Sequence, residues 1–148
     1  MPGELVYLLK SCIYFFSLHS EDTGDTWAFT SLLNLPEGSN GTGSLYGFRL
    51  AVDPFDEDIV LYGSISSGLF LTTNGASSWV NLTMNGAIPS SNENTYGVVG
   101  VMFNPSHGTI FDAALGRNRC KVAYAAVWQV GIFQSRDGTP ETGASGII

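Results

Sequence analysis

The sequence predicts an all-β chain of antiparallel four-stranded units, and three observations predict it. Only 13% of its 148 residues are charged, against about 25% in an ordinary soluble domain, while 18 glycines and 12% aromatic residues suit short strands joined by tight turns. Coiled coils and helix bundles need Ala, Glu, Lys and Leu in bulk and are excluded. Second, the chain repeats itself: Ser20-Glu21-Asp22-Thr23-Gly24-Asp25-Thr26-Trp27 has a partner in Thr72-Thr73-Asn74-Gly75-Ala76-Ser77-Ser78-Trp79, the tryptophans 52 residues apart. Third, an interleaved repeat pairs Arg49-Leu50-Ala51-Val52-Asp53-Pro54 with Gly100-Val101-Met102-Phe103-Asn104-Pro105, the prolines 51 residues apart.

Residues 5–18 are apolar but broken by Lys10, and Glu4 stands where a signal peptide carries positive charge. The stretch is shorter than the about 20 apolar residues that span a bilayer, so it reads as one or two buried strands. After the first turn motif, alternation sets Phe48, Leu50 and Val52 against Arg49, Ala51 and Asp53, the mark of a strand. An Asx-Pro turn, an apolar strand (residues 59–62 or 122–126) and a Gly-apolar-Phe strand (Gly68-Leu69-Phe70 or Gly131-Ile132-Phe133) complete each unit. A third turn motif opens at Ser135 and Asp137 without reaching a Trp. Four short strands in about 50 residues is the size of one β-propeller blade, so the chain is expected to be an incomplete propeller. Residues 20–138 hold about two and a half blades, residues 1–19 a divergent segment with the end of a first blade, and residues 139–148 a tail. Residues 106–119, inserted in the second unit, are expected to be a long surface loop.

The turn residues have mechanical roles. Asp22, Asn74 and Asp137 can accept backbone N–H groups two residues on. Gly24 and Gly75 suit positive φ, and Trp27 and Trp79 can wedge between neighbouring sheets. Ser20, Thr26, Thr72, Ser78 and Ser135 supply the hydroxyls. The motif is structural rather than catalytic.

Thirteen acidic against six basic residues give a net charge of −7, which lacks the basic footprint of a nucleic-acid binder and is repelled by anionic membranes. Neutral ligands remain. Two cysteines make no disulfide framework: Cys12 and Cys120 are either one bridge or two separate thiols. With two histidines there is no zinc set, and no Gly-x-Ser-x-Gly elbow supports a serine hydrolase. Asp53, Asp56, Glu57 and Asp58 read as a solvated acidic turn. No cofactor or metal is expected.

Residues 20–27 resemble the Asp box, Ser-x-Asp-x-Gly-x-Thr-Trp, of sialidases, sortilin-like receptors and several propeller hydrolases. The strand Gly47-Phe48-Arg49-Leu50-Ala51-Val52-Asp53-Pro54, followed by Leu61-Tyr62-Gly63-Ser64 and Gly68-Leu69-Phe70-Leu71-Thr72, is similar to that between the Asp boxes of the xyloglucanases of glycoside hydrolase family 74. That resemblance implies a secreted, extracellular hydrolase of xyloglucan or a related β-1,4-glucan, built from two facing propellers. It implies inverting catalysis by two carboxyl groups, one from each propeller, about 6.5–9.5 Å apart. Neither aspartate maps onto a residue of this chain, which is expected to be inactive alone and to need the missing blades. Ser44 and Phe48 occupy two positions that are polar in the family pattern.

In a propeller the loops entering the innermost strand and those between the second and third strands line the ligand face. Aromatic faces stack on pyranose rings, which nominates Tyr46, Arg49, Tyr96 and Trp128 as substrate-binding residues. The alternative reading is a non-catalytic binding module for a glycan or protein. Asn40-Gly41-Thr42 and Asn81-Leu82-Thr83 fit N-glycosylation acceptors, in keeping with secretion.

Overall fold

The computed structural model describes residues 6–10, 16–20, 22, 24–30, 48–64, 68–82 and 97–135. Those residues form antiparallel sheets and no α-helix. The N-terminal apolar stretch gives β1 (Val6–Lys10) and β2 (Phe16–Ser20), and β3 (Ala28–Thr30) completes a first sheet in the order β1-β2-β3. The second sheet is a four-stranded meander, β4 (Leu50–Asp53), β5 (Asp56–Ser64), β6 (Gly68–Thr72) and β7 (Val80–Asn81). The third sheet joins β8 (Val98–Phe103), β11 (Ala123–Val127) and β12 (Gly131–Ser135) in the order β12-β11-β8.

Registers superpose the two repeats. Leu50, Tyr62 and Phe70 form one row of the second sheet, and Val101, Ala125 and Phe133 form the matching row of the third. Between the two sheets the residue offset grows from 51 in the first strand to 63 in the later ones. The difference is the inserted segment. Expected to be a loop, it is instead a 3₁₀ turn, Pro105–His107, followed by a hairpin of β9 (Thr109–Asp112) and β10 (Arg117–Cys120).

The core lies between the second and third sheets. Leu61, Leu69 and Leu82, with Ala51 and Leu71, pack on Val98, Val101, Ala123, Ala125 and Val127, with Phe103 and Phe133 alongside. Alternation explains the choice. Ala51, Leu61 and Leu71 share one row and one face, so the strand period of two sends them all to the same neighbour. Gly63 sits where Val98 presses closest: a Cβ there would meet Val98 Cγ1 at 2.5 Å and its Cβ at 2.9 Å.

Both turn motifs close the same way. Ser20 Oγ donates to Asp22 Oδ1 at 2.7 Å and accepts the Gly24 N–H at 2.7 Å, while Asp22 accepts the Thr26 N–H at 2.8 Å and the Thr26 hydroxyl. These bonds, Thr26's hydroxyl foremost, hold the Asp22 carboxyl down at about 2. In the second motif Thr72 Oγ1 donates to Asn74 Oδ1 and accepts the Ala76 N–H, both at 3.0 Å, and Asn74 Oδ1 accepts the Ser78 N–H at 2.9 Å. Gly24 and Gly75 both have positive φ, 101° and 62°. Yet the residue that replaces Gly24 in the bonding pattern is Ala76, also left-handed at φ 65°.

That left-handed backbone costs an L-residue about 1–2 kcal/mol, against roughly 0.8 kcal/mol for its buried methyl. Ala76→Gly is therefore expected to stabilise the chain slightly, on the order of 0.5 kcal/mol, where Ala125→Gly in a strand should cost about 1 kcal/mol. Urea midpoints compare the two, and equal losses would remove the strain at Ala76.

Of the two tryptophans, Trp27 departs from expectation. Trp27 is 39% exposed, because its Nε1 turns back to donate to Gly24 O at 2.9 Å. Trp79 is half-buried and meets the Tyr62 ring edge-on, centroids 6.3 Å apart. In the third motif Ser135 ends β12, and Asp137 lies outside the described residues.

Candidate functional site

The meander order gives each sheet two ends. At one end stand the entry to β4, the end of β5, the entry to β8 and the β11–β12 turn; at the other stand the β4–β5 turn, the second turn motif and the inserted hairpin. Of the candidate binding residues, Arg49 and Trp128 belong to the first end. Tyr46 and Tyr96 lie outside the described residues.

Arg49 and its neighbour straddle two sheets. The Arg49 carbonyl accepts the Gly63 N–H of β5 at 2.7 Å, while the Phe48 carbonyl accepts the Val101 N–H of β8 at 2.9 Å. The Arg49 side chain is half-buried, and its Nη1 is buried without a hydrogen-bond partner among the described residues. It lies within electrostatic reach of Tyr62: burial pushes the phenol above its ordinary range and the Arg49 charge pulls it part of the way back. Tyr62 Oη and Trp79 Nε1 are likewise buried without a described partner. Trp128 is half-buried in the tight turn that closes β11 on β12. Its N–H donates to Gly97 O at 2.9 Å, which ties that turn to the entry of β8. Phe48 is 88% exposed. The structure places Arg49 and Trp128 at one end of adjacent sheets.

The opposite end holds the carboxylates, and here the structure corrects the sequence reading. The acidic turn is a docking seat for the hairpin, not a solvated loop. Asp53 is 3% exposed; its Oδ1 accepts the Phe55 N–H at 2.8 Å and its Oδ2 accepts the Cys120 N–H of β10 at 2.7 Å. Burial pushes the Asp53 carboxyl up, and these two N–H groups and the Arg119 charge offset only part of that. Arg117 reaches back to the second sheet: its Nη1 donates to Asp58 Oδ2 at 2.7 Å, its Nε lies 2.6 Å from Asp56 Oδ2, and its Nη2 donates to Thr73 O at 2.7 Å. Burial also raises Asp56, against the pull of Arg117, and the bond with Asp58 raises the guanidinium itself. Within the hairpin Arg119 Nε lies 2.8 Å from Asp112 Oδ2. Burial pushes the Asp112 carboxyl up, but the Leu115 and Ala114 N–H groups and Arg119 bring it below its ordinary value. Cys120 is a buried free thiol, raised by burial; Cys12 lies outside the described residues.

Arg117 and Arg119 escaped the sequence reading. Two arginines in a segment that faces an acidic turn across the repeat were the available signal. Among the described residues no group of three or more His, Cys, Asp and Glu side chains could hold a metal ion, and no helix is long and apolar enough to cross a membrane.

No protein-family model matches the chain. Individual proteins do. It is 32% identical over 132 residues to a xyloglucanase of Paenibacillus sp, an overlap of 82% of this chain and 12% of that protein. It is 37% identical over 75 residues to the oligoxyloglucan-reducing end-specific xyloglucanase of Emericella nidulans, covering 50% of this chain and 9% of the relative. The crystal structure of the glycoside hydrolase family 74 enzyme of Niastella koreensis superposes with a TM-score of 0.71 and 29% identity, over 94% of this chain and 20% of that one. The chain thus spans about a tenth of the length of the curated relatives it matches. Shared sequence along most of the chain and shared backbone make the same assignment: the chain belongs to glycoside hydrolase family 74.

Proposed function

We propose that the chain forms propeller blades of a secreted, xyloglucan-degrading glycoside hydrolase, where it builds part of the cleft wall and supplies neither catalytic acid nor base. The sheets are read as blades from their meander order and their repeat of about 50 residues. One observation carries the division of labour. Every described carboxylate stands in an Asp box, in the β4–β5 turn and the strand that follows it, or in the hairpin docked there, and none of the described ones stands at the end with Arg49 and Trp128. An inverting pair needs two carboxyl groups facing one water about 6.5–9.5 Å apart. Of the described ones, Asp22, Asp53, Asp56, Asp58 and Asp112 accept N–H groups or pair with guanidinium ions.

Arg49 and Trp128 are read as wall residues, one a hydrogen-bond donor and the other an aromatic face. Tyr46 and Tyr96 join them on the sequence pattern alone. The polysaccharide in the relatives' names supports the ligand class, and the size of such a polymer supports a reading of the enzyme as extracellular.

The purified chain incubated with xyloglucan is expected to release no new reducing ends. It should be retarded weakly in affinity electrophoresis through a xyloglucan gel, and Arg49→Ala with Trp128→Ala should abolish the retardation. Hydrolysis by the isolated chain would overturn the assignment of both catalytic groups elsewhere. Retardation untouched by the double variant would remove the wall residues.

A further inference from the structure

The second turn motif contains a reactive peptide step that its structural role does not use. In an asparagine followed by glycine the side-chain amide is open to attack by the next backbone nitrogen, because glycine has no Cβ to block the approach. The chain has three such steps: Asn40-Gly41 and Asn85-Gly86 lie outside the described residues, and Asn74-Gly75 stands in the turn after β6. In the reaction the Gly75 nitrogen gives up its proton to solvent base and bonds to Asn74 Cγ, the Cγ–Nδ2 bond breaks, and ammonia leaves. Water then opens the succinimide ring at one carbonyl or the other, giving aspartate or isoaspartate.

Asn74 is exposed, so water reaches it. Both reacting groups are nevertheless held. The Gly75 N–H donates to the Asp58 carbonyl at 3.0 Å, which keeps its proton from solvent base until the turn opens. Asp58 Oδ1 closes on the same residue: a Cβ on Gly75 would meet it at 3.0 Å. Asn74 Oδ1 accepts the Thr72 hydroxyl at 3.0 Å and the Ser78 N–H at 2.9 Å, and its Nδ2 donates to Ser78 Oγ at 2.8 Å. Arg117 of the inserted hairpin then ties down both sides of the step. Its Nη1 donates to Asp58 Oδ2 and its Nη2 to the Thr73 carbonyl, each at 2.7 Å.

We infer that Asn74 is a deamidation site guarded by the docked hairpin: the step reacts only through an opened turn, and Arg117 sets how often the turn opens. The two products are not equivalent. Aspartate keeps the oxygen that accepts the Thr72 hydroxyl and the Ser78 N–H, and the first motif shows the resulting arrangement, with Asp22 accepting the Thr26 N–H and hydroxyl. Isoaspartate adds a methylene to the backbone and shortens the side chain, which withdraws that oxygen from both donors. The turn then cannot reclose.

The test ages the purified chain in mildly alkaline buffer and maps the peptide that holds Asn74. Mass reads the loss of ammonia, and enzymatic methylation reads isoaspartate. In the folded chain the reaction at Asn74 should run at least about tenfold slower than in the same chain unfolded in urea, the protection given by a turn that must open first. Arg117→Ala should quicken it several-fold. Where that variant does not fold, Arg117→Lys takes its place: it keeps the charge, loses the fork that spans Asp58 and Thr73, and should quicken the reaction less. Ala125→Gly weakens the core by a comparable amount but touches neither hairpin nor turn, and should leave Asn74 slow. Asn74→Asp should release no ammonia at this step and melt with the parent chain. A folded rate equal to the rate in urea overturns the protection. Equal rates in the Arg117 variant and in Ala125→Gly overturn the guarding role, since the reaction then follows global unfolding. Asn74→Asp melting several degrees below the parent overturns the difference between the two products.

Discussion

Gly63→Ala is expected to destabilise the chain by about 3 kcal/mol, the upper end of the range for overpacking a core. The added methyl would lie 2.5 Å from Val98 Cγ1, 2.9 Å from Val98 Cβ and 3.3 Å from the Val98 carbonyl oxygen. A rotamer change at Val98 relieves the first contact only. The Cβ and the carbonyl are fixed to the backbone of β8, so the second and third sheets must separate, and Leu61, Leu69, Val98, Val101 and Ala125 lose packing together. Gly100→Ala is the control. Its Cβ would stand 3.9 Å from the Ala126 methyl and 3.9 Å from the Phe48 carbonyl, ordinary contact distances, and the change should cost less than about 1 kcal/mol. Urea unfolding separates the two by midpoint at constant slope; equal midpoints would show that the sheets do not meet at Val98.

Asp53→Ala is expected to cost about 2–3 kcal/mol and to loosen the inserted hairpin. The carboxylate accepts two backbone N–H groups, those of Phe55 and Cys120, and the Cys120 amide is buried with no water to replace it. Arg117→Ala removes a different tie to the same seat, from a half-exposed side chain, and should cost less, roughly 1 kcal/mol. Amide exchange at Cys120 reports the loosening directly: it should quicken more in Asp53→Ala than in Arg117→Ala. Unchanged exchange in both would mean that the hairpin is held by something else. The pH response has a definite sign. Burial raises Asp53 and Asp56 in the folded chain above their value in the unfolded one. Both groups are then more protonated when folded, and stability falls as pH climbs from the ordinary carboxylate value of 3.8 through the raised folded values. Asp53→Ala removes the Asp53 share of that fall. Asp22 acts oppositely: held at about 2 by Thr26 and Ser20, it adds stability above 3.8 that is lost as pH drops through 2.

The repeats made the strands legible. An offset of 51 residues between Pro54 and Pro105 matches β4 to β8, and the Gly-apolar-Phe steps at Gly68 and Gly131, 63 residues apart across the insertion, match β6 to β12. The repeated turn motif likewise names the atoms that close each turn, because those bonds span two to four residues and local sequence encodes them. What escaped were interactions across long separations. Arg117 and Asp58 are 59 residues apart, and no spacing rule ties an arginine in one unit to an acid in another, so the β4–β5 turn had the composition of a solvated loop. Trp27 escaped for a smaller reason: its indole N–H finds an acceptor within its own turn, which competes with insertion between sheets. Of the candidate binding residues, Arg49 and Trp128 were readable as sharing one end because strand order alone fixes which loops share an end. Whether a side chain at that end faces a neighbour or a ligand depends on units beyond the local pattern.

The split of carbonyls at Phe48 and Arg49 bears on how such chains are lengthened and recombined. One peptide step hands its first carbonyl to β8 and its second to β5, leaving no slack at the joint. An extra residue between them would unhook one sheet or the other. The turn after Asn104, with its Pro105 and an exposed 3₁₀ turn, has by contrast accepted a whole hairpin without shifting the strands on either side. Among the described residues, growth by insertion thus stands at the turn-motif end of the repeat, away from Arg49 and Trp128.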